Sequence, residues 1–200
     1  NTLKLLATEF ESISNHTVVT TVGSTGALYA QIINGAPYDI FLAADQQRVD
    51  TLEQQGKTVI NSTIIYACGQ LVVATSDPTI TPSLTTLKTD LQRNPHHRLT
   101  IANPKTAPYG QAALELLNNL QGAPINKKQI IQAQNISQTY QYVSNGDAHW
   151  GLIARSSILT ASQSANIQTQ PIHPNQHRPI QQKMALIKKN RPIDGAKMFL

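Results

Sequence analysis

Cysteine is nearly absent from this 200-residue chain: Cys68 is the only one, which excludes a disulfide within the chain. Cys68 ends a short apolar run, residues 64–68, and this setting predicts a buried thiol. Long apolar runs are also missing, because no stretch approaches the roughly 20 residues of a membrane-spanning helix. Aromatic residues make up 5% of the chain and charged residues 14%, while 40% are hydrophobic. This composition is ordinary for a globular protein and allows one large domain or two small lobes.

Positive charge is scattered along the sequence. The formal net charge is +5, and the densest group of basic residues has no aromatic residue between its members. A surface that binds single-stranded nucleic acid interleaves basic and aromatic side chains. We therefore interpret the group as solvated surface and expect no nucleic-acid partner. Its members are Lys183, Lys188, Lys189, Arg191 and Lys197.

Near the start of the chain, a predicted strand leads directly into a predicted helix. Residues 16–22 are rich in β-branched side chains, which favours a strand. Ser24 and Thr25 then occupy the place of a helix N-cap, and Leu28 and Ile32 follow on one apolar face. Hydroxyls and unpaired N–H groups at the positive end of a helix dipole can hold an oxyanion. The same residues also fit an ordinary helix cap, so both interpretations stay open at this point.

The rest of the chain repeats the alternation of strand and helix, which favours a parallel α/β sheet. Two further junctions are similar to the first: Pro108 opens a helix after a loop, and Asn135 caps a helix after a short strand. We place a boundary between two lobes near Tyr66. The other predicted strands are residues 39–43, 70–75, 98–102, 129–133, 150–154 and 182–187, and predicted helices begin at or next to residues 1, 25, 46, 84, 108, 136, 155 and 193.

Both ends of the sequence are abrupt. Residues 1–10 already show the pattern of an amphipathic helix with no strand before them, and residues 193–200 have the pattern of a helix interrupted in the middle. We therefore expect the chain to be a piece of a longer one, truncated at both ends.

Five segments carry a resemblance to a known family: residues 23–26, 33–45, 102–104 with 107–110, 134–138 and 151–154. The most specific is Asn-Gly-Ala-Pro-Tyr-Asp-Ile-Phe-Leu-Ala-Ala-Asp at residues 34–45. On these segments, which follow one another over nearly the whole chain, the sequence resembles the periplasmic molybdate-binding proteins of ABC molybdate uptake transporters. The resemblance implies an α/β fold of the two-lobed type II periplasmic-binding-protein class. Its sheets would be mostly parallel and flanked by helices, with two crossing strands between the lobes.

The resemblance also implies an organisation and a role. Lobe one would comprise residues 1–66 and 180–200 and would lack its first strand, while lobe two would comprise residues 67–179 with hinge crossings near both ends. The protein would be a monomeric solute-binding protein, either periplasmic or an extracellular lipoprotein anchored to the membrane. It would capture molybdate or tungstate and deliver the oxyanion to the membrane subunits of an ABC permease, without catalysis and without a cofactor.

Four site residues follow from the resemblance. The serine of the first-lobe turn corresponds to Ser24, with Thr25 beside it, and the backbone donors of the second lobe correspond to Tyr109 and Ile136. A tyrosine that donates its phenol in some members falls at Ala154, so this chain lacks that donor. No metal is expected at these residues apart from the oxyanion itself. A fully deprotonated oxyanion accepts hydrogen bonds only, and no Asp or Glu stands at the expected contact positions.

Other interpretations stay open. Ser24 could be a nucleophile, but its surroundings do not match the G-x-S-x-G turn and no His and carboxylate can be placed beside it. His96 with His97, or His173 with His177, could bind a metal, although neither pair has a Cys or carboxylate at ligand spacing. The ligand could instead be sulfate or a related oxyanion. The same fold could also serve as the ligand-sensing effector domain of a transcriptional regulator.

Overall fold

The computed structural model describes residues 2–120, 125–159 and 167–199. Residues 1 and 200, at the outer ends of the first and last predicted helices, lie outside the described residues. The helices are α1 (Thr2–Ile13), α2 (Thr25–Ile33), α3 (Gln47–Gln54), α4 (Leu84–Arg93), α5 (Pro108–Asn119), α6 (Ile136–Ser144), α7 (Ser156–Leu159) and α8 (Asp194–Phe199). The strands are β1 (Ile40–Ala43), β2 (Ile64–Gly69), β3 (Leu71–Thr75), β4 (Leu99–Ala102), β5 (Ile130–Ala133), β6 (Trp150–Ala154), β7 (Gln168–Pro171) and β8 (Ile180–Leu186). Among the described helices, none combines the length and the apolar character needed to cross a membrane.

The chain divides into two compact units. Unit one comprises Asn1–Ala67 and Gln181–Leu200, and unit two comprises Cys68–Ile180. The boundaries fall within β2 and after the first residue of β8.

Unit one contains a three-stranded sheet in the order β1-β8-β2. β1 and β8 are antiparallel, with Ile40 opposite Leu186 and Ala43 opposite Lys183. Successive residues of a strand face opposite sides, and the buried ones in β1 are Phe41 and Ala43. Helices α2 and α3 add apolar side chains to this face of the sheet. The resulting core consists of Ile32, Phe41, Ala43, Val49, Leu52, Ala185 and Ile187.

Unit two contains a five-stranded sheet in the order β5-β4-β6-β3-β7. β4 is parallel to both β5 and β6, whereas β3 is antiparallel to both β6 and β7. Every residue of β3, β4 and β6 is buried, as is typical of strands covered on both faces. The expected α/β fold is confirmed, but the sheet is mixed and its parallel part is limited to β5-β4-β6.

Two local predictions from the sequence are wrong. Residues 16–22 form no strand, because no segment of the described residues pairs with them. They line a pocket together with residues of β1, and Val19 is 90% exposed. Cys68 is exposed rather than buried, because all but the last residue of β2 are exposed at the edge of the unit-one sheet.

Candidate functional site

In unit one, the hydroxyl-bearing turn stands at the start of α2. Ser24 is the N-cap residue, with φ −69° and ψ 147°, and its carbonyl oxygen accepts a hydrogen bond from the Leu28 N–H at 3.0 Å. Its side chain makes no cap hydrogen bond to the helix, although a serine at this position commonly does. Ser24 is only 7% exposed. Because the hydroxyl does not cap the helix, it can donate to a ligand at the positive end of the helix dipole.

Thr25 connects α2 to the end of β1. Its Oγ1 accepts a hydrogen bond from the Ala44 N–H at 3.1 Å, and the residue is 6% exposed. Ala44 follows β1 directly, so this bond joins the first turn of α2 to the carboxyl end of the strand. A hydroxyl can accept and donate at the same time. Thr25 thus positions the turn while its own proton can still be donated.

The carboxylate that follows Ala44 is neutralised locally. Oδ1 of Asp45 accepts a hydrogen bond from the Arg48 N–H at 3.0 Å, so this carboxylate bonds to the first turn of α3, whose N-cap residue is Gln46. Its Oδ2 forms an ion pair with the Arg48 guanidinium. The side chains are 19% exposed for Asp45 and 27% exposed for Arg48. This pairing offsets a negative charge that would otherwise stand unpaired two residues beyond β1.

In unit two, the starts of α5 and α6 lie at the carboxyl ends of adjacent parallel strands. β4 pairs with β5 up to Ala102 and Ala133, and the next residue, Asn103, donates its N–H to the Ala133 carbonyl at 2.8 Å. α5 follows β4 and α6 follows β5. Two helix dipoles therefore begin at the same edge of the sheet, which is where α/β proteins commonly bind ligands.

The loop before α5 is closed by Asn103. Its carbonyl oxygen accepts hydrogen bonds from the N–H groups of Thr106 at 3.2 Å and Ala107 at 2.8 Å. Pro108 then begins the helix, at a position where its missing N–H leaves no helical bond unmade. Tyr109 lies in this first turn and is 6% exposed.

The start of α6 shows which N–H groups remain for a ligand. The Asn135 side chain accepts a hydrogen bond from the Gln138 N–H at 2.9 Å, which confirms the predicted amide cap. The Thr139 N–H donates to the Asn135 carbonyl at 3.2 Å. The N–H groups of Ile136 and Ser137 precede these two and make no hydrogen bond within the described residues. Ile136 therefore offers a backbone donor at this helix start.

The helix starts share an electrostatic feature. The first turns of α2, α5 and α6 contain no acidic residue. A carboxylate there would repel an anion, whereas hydroxyls, N–H groups and helix dipoles attract one. The four predicted residues lie at these helix starts, with Ser24 and Thr25 in unit one and Tyr109 and Ile136 in unit two.

The described residues contain no group of three or more His, Cys, Asp or Glu side chains that could hold a metal ion. His173 accepts a hydrogen bond from the Asn175 N–H, and His177 Nδ1 lies 2.7 Å from the Arg178 carbonyl oxygen. His97 is bonded to the Asp90 carboxylate at 2.8 Å. In each of these three rings, one nitrogen is therefore already engaged by a neighbouring protein group.

A polar cluster lies at the opposite ends of the unit-two strands, next to the amino ends of β4 and β6. Asp90 Oδ2 accepts a hydrogen bond from Trp150 Nε1 at 2.6 Å, and the rings of His97 and His149 stack with centroids 3.9 Å apart. Partial burial acts to raise the pKa of Asp90, but hydrogen bonds from Trp150, His97 and Asn94 together hold it below its ordinary value. Burial, followed by the nearby His97, lowers the pKa of His149.

Some residues that position these helix starts were not predicted from the sequence. The hydrogen bond from the Ala44 N–H to Thr25 is a tertiary contact, and a single sequence carries no signal for such a contact. The clue for Gly110 is a glycine just inside a predicted helix start, because glycine allows another part of the backbone to approach closely. A Cβ at this position would lie 2.2 Å from the Ala102 carbonyl oxygen.

Comparison with known proteins agrees with this architecture. The profile of the family described as bacterial extracellular solute-binding protein matches residues 1–200. The molybdate-binding protein ModA of Azotobacter vinelandii is 34% identical over 198 residues, which cover 99% of this chain and 77% of that protein. ModA of Rhodobacter capsulatus is 32% identical over 192 residues, which cover 96% of this chain and 73% of that protein.

A solved structure is similar over the same length. The periplasmic molybdate-binding protein of Azotobacter vinelandii matches with a TM-score of 0.85 and 31% sequence identity, covering 99% of this chain and 85% of that one. The fold is therefore that of the type II periplasmic binding proteins, as the resemblance implied. On the family profile and these relatives, the chain belongs to the family of bacterial extracellular solute-binding proteins.

Proposed function

We propose that this protein binds molybdate or tungstate and delivers the oxyanion to an ABC permease. The observation that carries the proposal is the set of helix starts at α2, α5 and α6, which offer hydroxyl and backbone donors and contain no acidic residue in their first turns. The similarity to proteins named for molybdate binding supports this choice of anion.

The proposed ligand-binding residues are Ser24, Thr25, Tyr109 and Ile136. Ser24 and Thr25 would donate from their hydroxyls, and Tyr109 and Ile136 from their backbone N–H groups. Molybdate is a dianion without a proton near neutral pH, so every contact to it has to be a donor. Phosphate usually carries a proton and would be favoured by an acceptor, which these first turns do not supply. Fixed dipoles can hold the charge without a lysine or arginine.

In this proposal units one and two correspond to the two lobes of a binding protein. The protein acts as a monomer in the periplasm or as a lipid-anchored protein, with no cofactor and no nucleic-acid partner. It is not an enzyme. A serine nucleophile needs a base within hydrogen-bond reach, and Ser24 has no imidazole or carboxylate bonded to it among the described residues.

Calorimetric titration of the full-length gene product with molybdate tests the proposal, with sulfate and phosphate as competitors. We expect tight binding that excess sulfate and phosphate do not disturb. Tight sulfate binding without molybdate binding would show that the ligand is the smaller oxyanion, sulfate, and not molybdate. A folded protein that binds none of these anions would refute oxyanion capture and favour a sensor domain for another ligand.

A further inference from the structure

Gly110 marks a close approach of two backbones in unit two. A Cβ built at this position would lie 2.2 Å from the Ala102 carbonyl oxygen, 2.7 Å from the Ala102 carbonyl carbon and 2.8 Å from the Asn103 carbonyl carbon. All three are backbone atoms at the carboxyl end of β4, so no side chain can rotate away to make room. Any residue with a Cβ would force the first turn of α5 and the end of β4 apart.

The size of that separation follows from van der Waals contact. Carbon and oxygen atoms that do not bond stay more than 3 Å apart, so the first turn of α5 would move by roughly 1 Å. N–H···O hydrogen bonds span only about 0.5 Å in donor-acceptor distance. A displacement of this size therefore takes a backbone donor out of bonding range.

The first turn of α5 contains Tyr109, and the neighbouring first turn of α6 contains Ile136. The spacing of the two turns is fixed by the pairing of β4 with β5, by the bond from the Asn103 N–H to the Ala133 carbonyl, and by the contact at Gly110. The first two constraints would survive a substitution of Gly110, whereas the third would not.

We propose that Gly110 is a positioning residue for the oxyanion: the absence of a side chain sets the distance between the Tyr109 and Ile136 donors, so that one tetrahedral anion can bond both. This inference rests on the proposed function. Gly110 itself need not contact the ligand, because its role is to let α5 lie against the end of β4.

The test is Gly110→Ala in the full-length gene product, titrated with molybdate at 25 °C. Loss of one hydrogen bond to a charged ligand predicts an affinity lower by about tenfold or more. The matched control is Gly146→Ala. Gly146 has φ +78° at the end of α6 and nothing within 4 Å of an added Cβ. The control should lose stability through backbone strain and keep its affinity.

Amide NMR separates positioning from a general loss of stability. In the wild type, molybdate should shift the amide signals of both Tyr109 and Ile136. In Gly110→Ala the shift at Tyr109 should shrink while that at Ile136 persists. A destabilised but correctly spaced unit would retain both shifts, and that result, or unchanged molybdate affinity, would overturn the inference.

A measurement on the wild-type protein covers the case in which Gly110→Ala does not fold. Molybdate should shift the amide signals of Tyr109 and Ile136 together along one titration curve. A wild type that binds molybdate without a shift at either amide would refute the inference. Failure of the wild-type protein to bind molybdate would instead refute the proposed function, so the two failures are distinguishable.

Discussion

Ser24→Ala should separate a ligand contact from a helix cap, because the structure assigns opposite consequences to the two roles. A serine that caps its helix loses about 0.5–2 kcal/mol of stability when replaced by alanine. The Ser24 side chain makes no such bond to α2, and the backbone bond from Leu28 N–H to the Ser24 carbonyl would survive the substitution. We therefore expect the free energy of unfolding without ligand to change by less than about 0.5 kcal/mol.

Molybdate binding should respond much more strongly. A hydrogen bond to a charged group contributes about 1.5–3 kcal/mol. Since every 1.4 kcal/mol is a factor of ten, the dissociation constant should rise by roughly 10- to 150-fold. Calorimetric titration of the variant and the wild type under the same conditions measures this change, and urea denaturation without ligand measures stability.

Ser83→Ala is the matched control for this prediction. Ser83 caps α4 and its Oγ accepts a hydrogen bond from the Thr86 N–H at 3.0 Å, within a reciprocal capping box. Its loss should cost about 0.5–2 kcal/mol of stability and leave molybdate affinity unchanged. The reasoning fails if Ser24→Ala lowers stability as Ser83→Ala does while molybdate affinity stays at the wild-type value.

Local patterns predicted most of the helices and several strands because these elements carry boundary signals in their own sequences. The helix after Ser24 has Asn34 as its C-cap residue and is followed by Gly35, where φ is +87°. The Asn135 side chain caps α6, as its residue type suggested. The strand expected at residues 16–22 failed because β-branched composition favours an extended backbone but cannot supply a pairing partner. Pairing depends on tertiary structure.

Strands β2 and β7 are the opposite case, because the sequence pattern did not predict them and yet both form in the structure. β7 is polar and almost fully exposed, so it has no hydrophobic alternation for a sequence pattern to detect, yet it pairs with β3. At the candidate site, residue types predicted the N-cap positions of Ser24 and Asn135. The bond from Ala44 to Thr25 joins residues 19 positions apart and became visible only in the structure.

Two further predictions concern charge. Arg48→Gln should leave the Asp45 carboxylate unpaired near the end of β1 and lower molybdate affinity several-fold. Adding Asp45→Asn to this variant should restore the affinity. Calorimetry of the single and double variants measures both changes, and an Arg48→Gln variant with wild-type affinity would contradict this prediction. The second concerns pH, with the single tryptophan, Trp150, as a fluorescent probe of urea unfolding. Because burial lowers the pKa of His149 in the folded protein, the unfolded chain binds more protons just below the ordinary value of about 6.5, and stability should fall as pH drops through that region. The lowered pKa of Asp90 adds a second loss only at more acidic pH, below about 4, where its carboxylate is protonated on unfolding. His149→Asn should therefore flatten the first decline and keep the second, whereas an unchanged slope near pH 6 would show that His149 is not the group responsible.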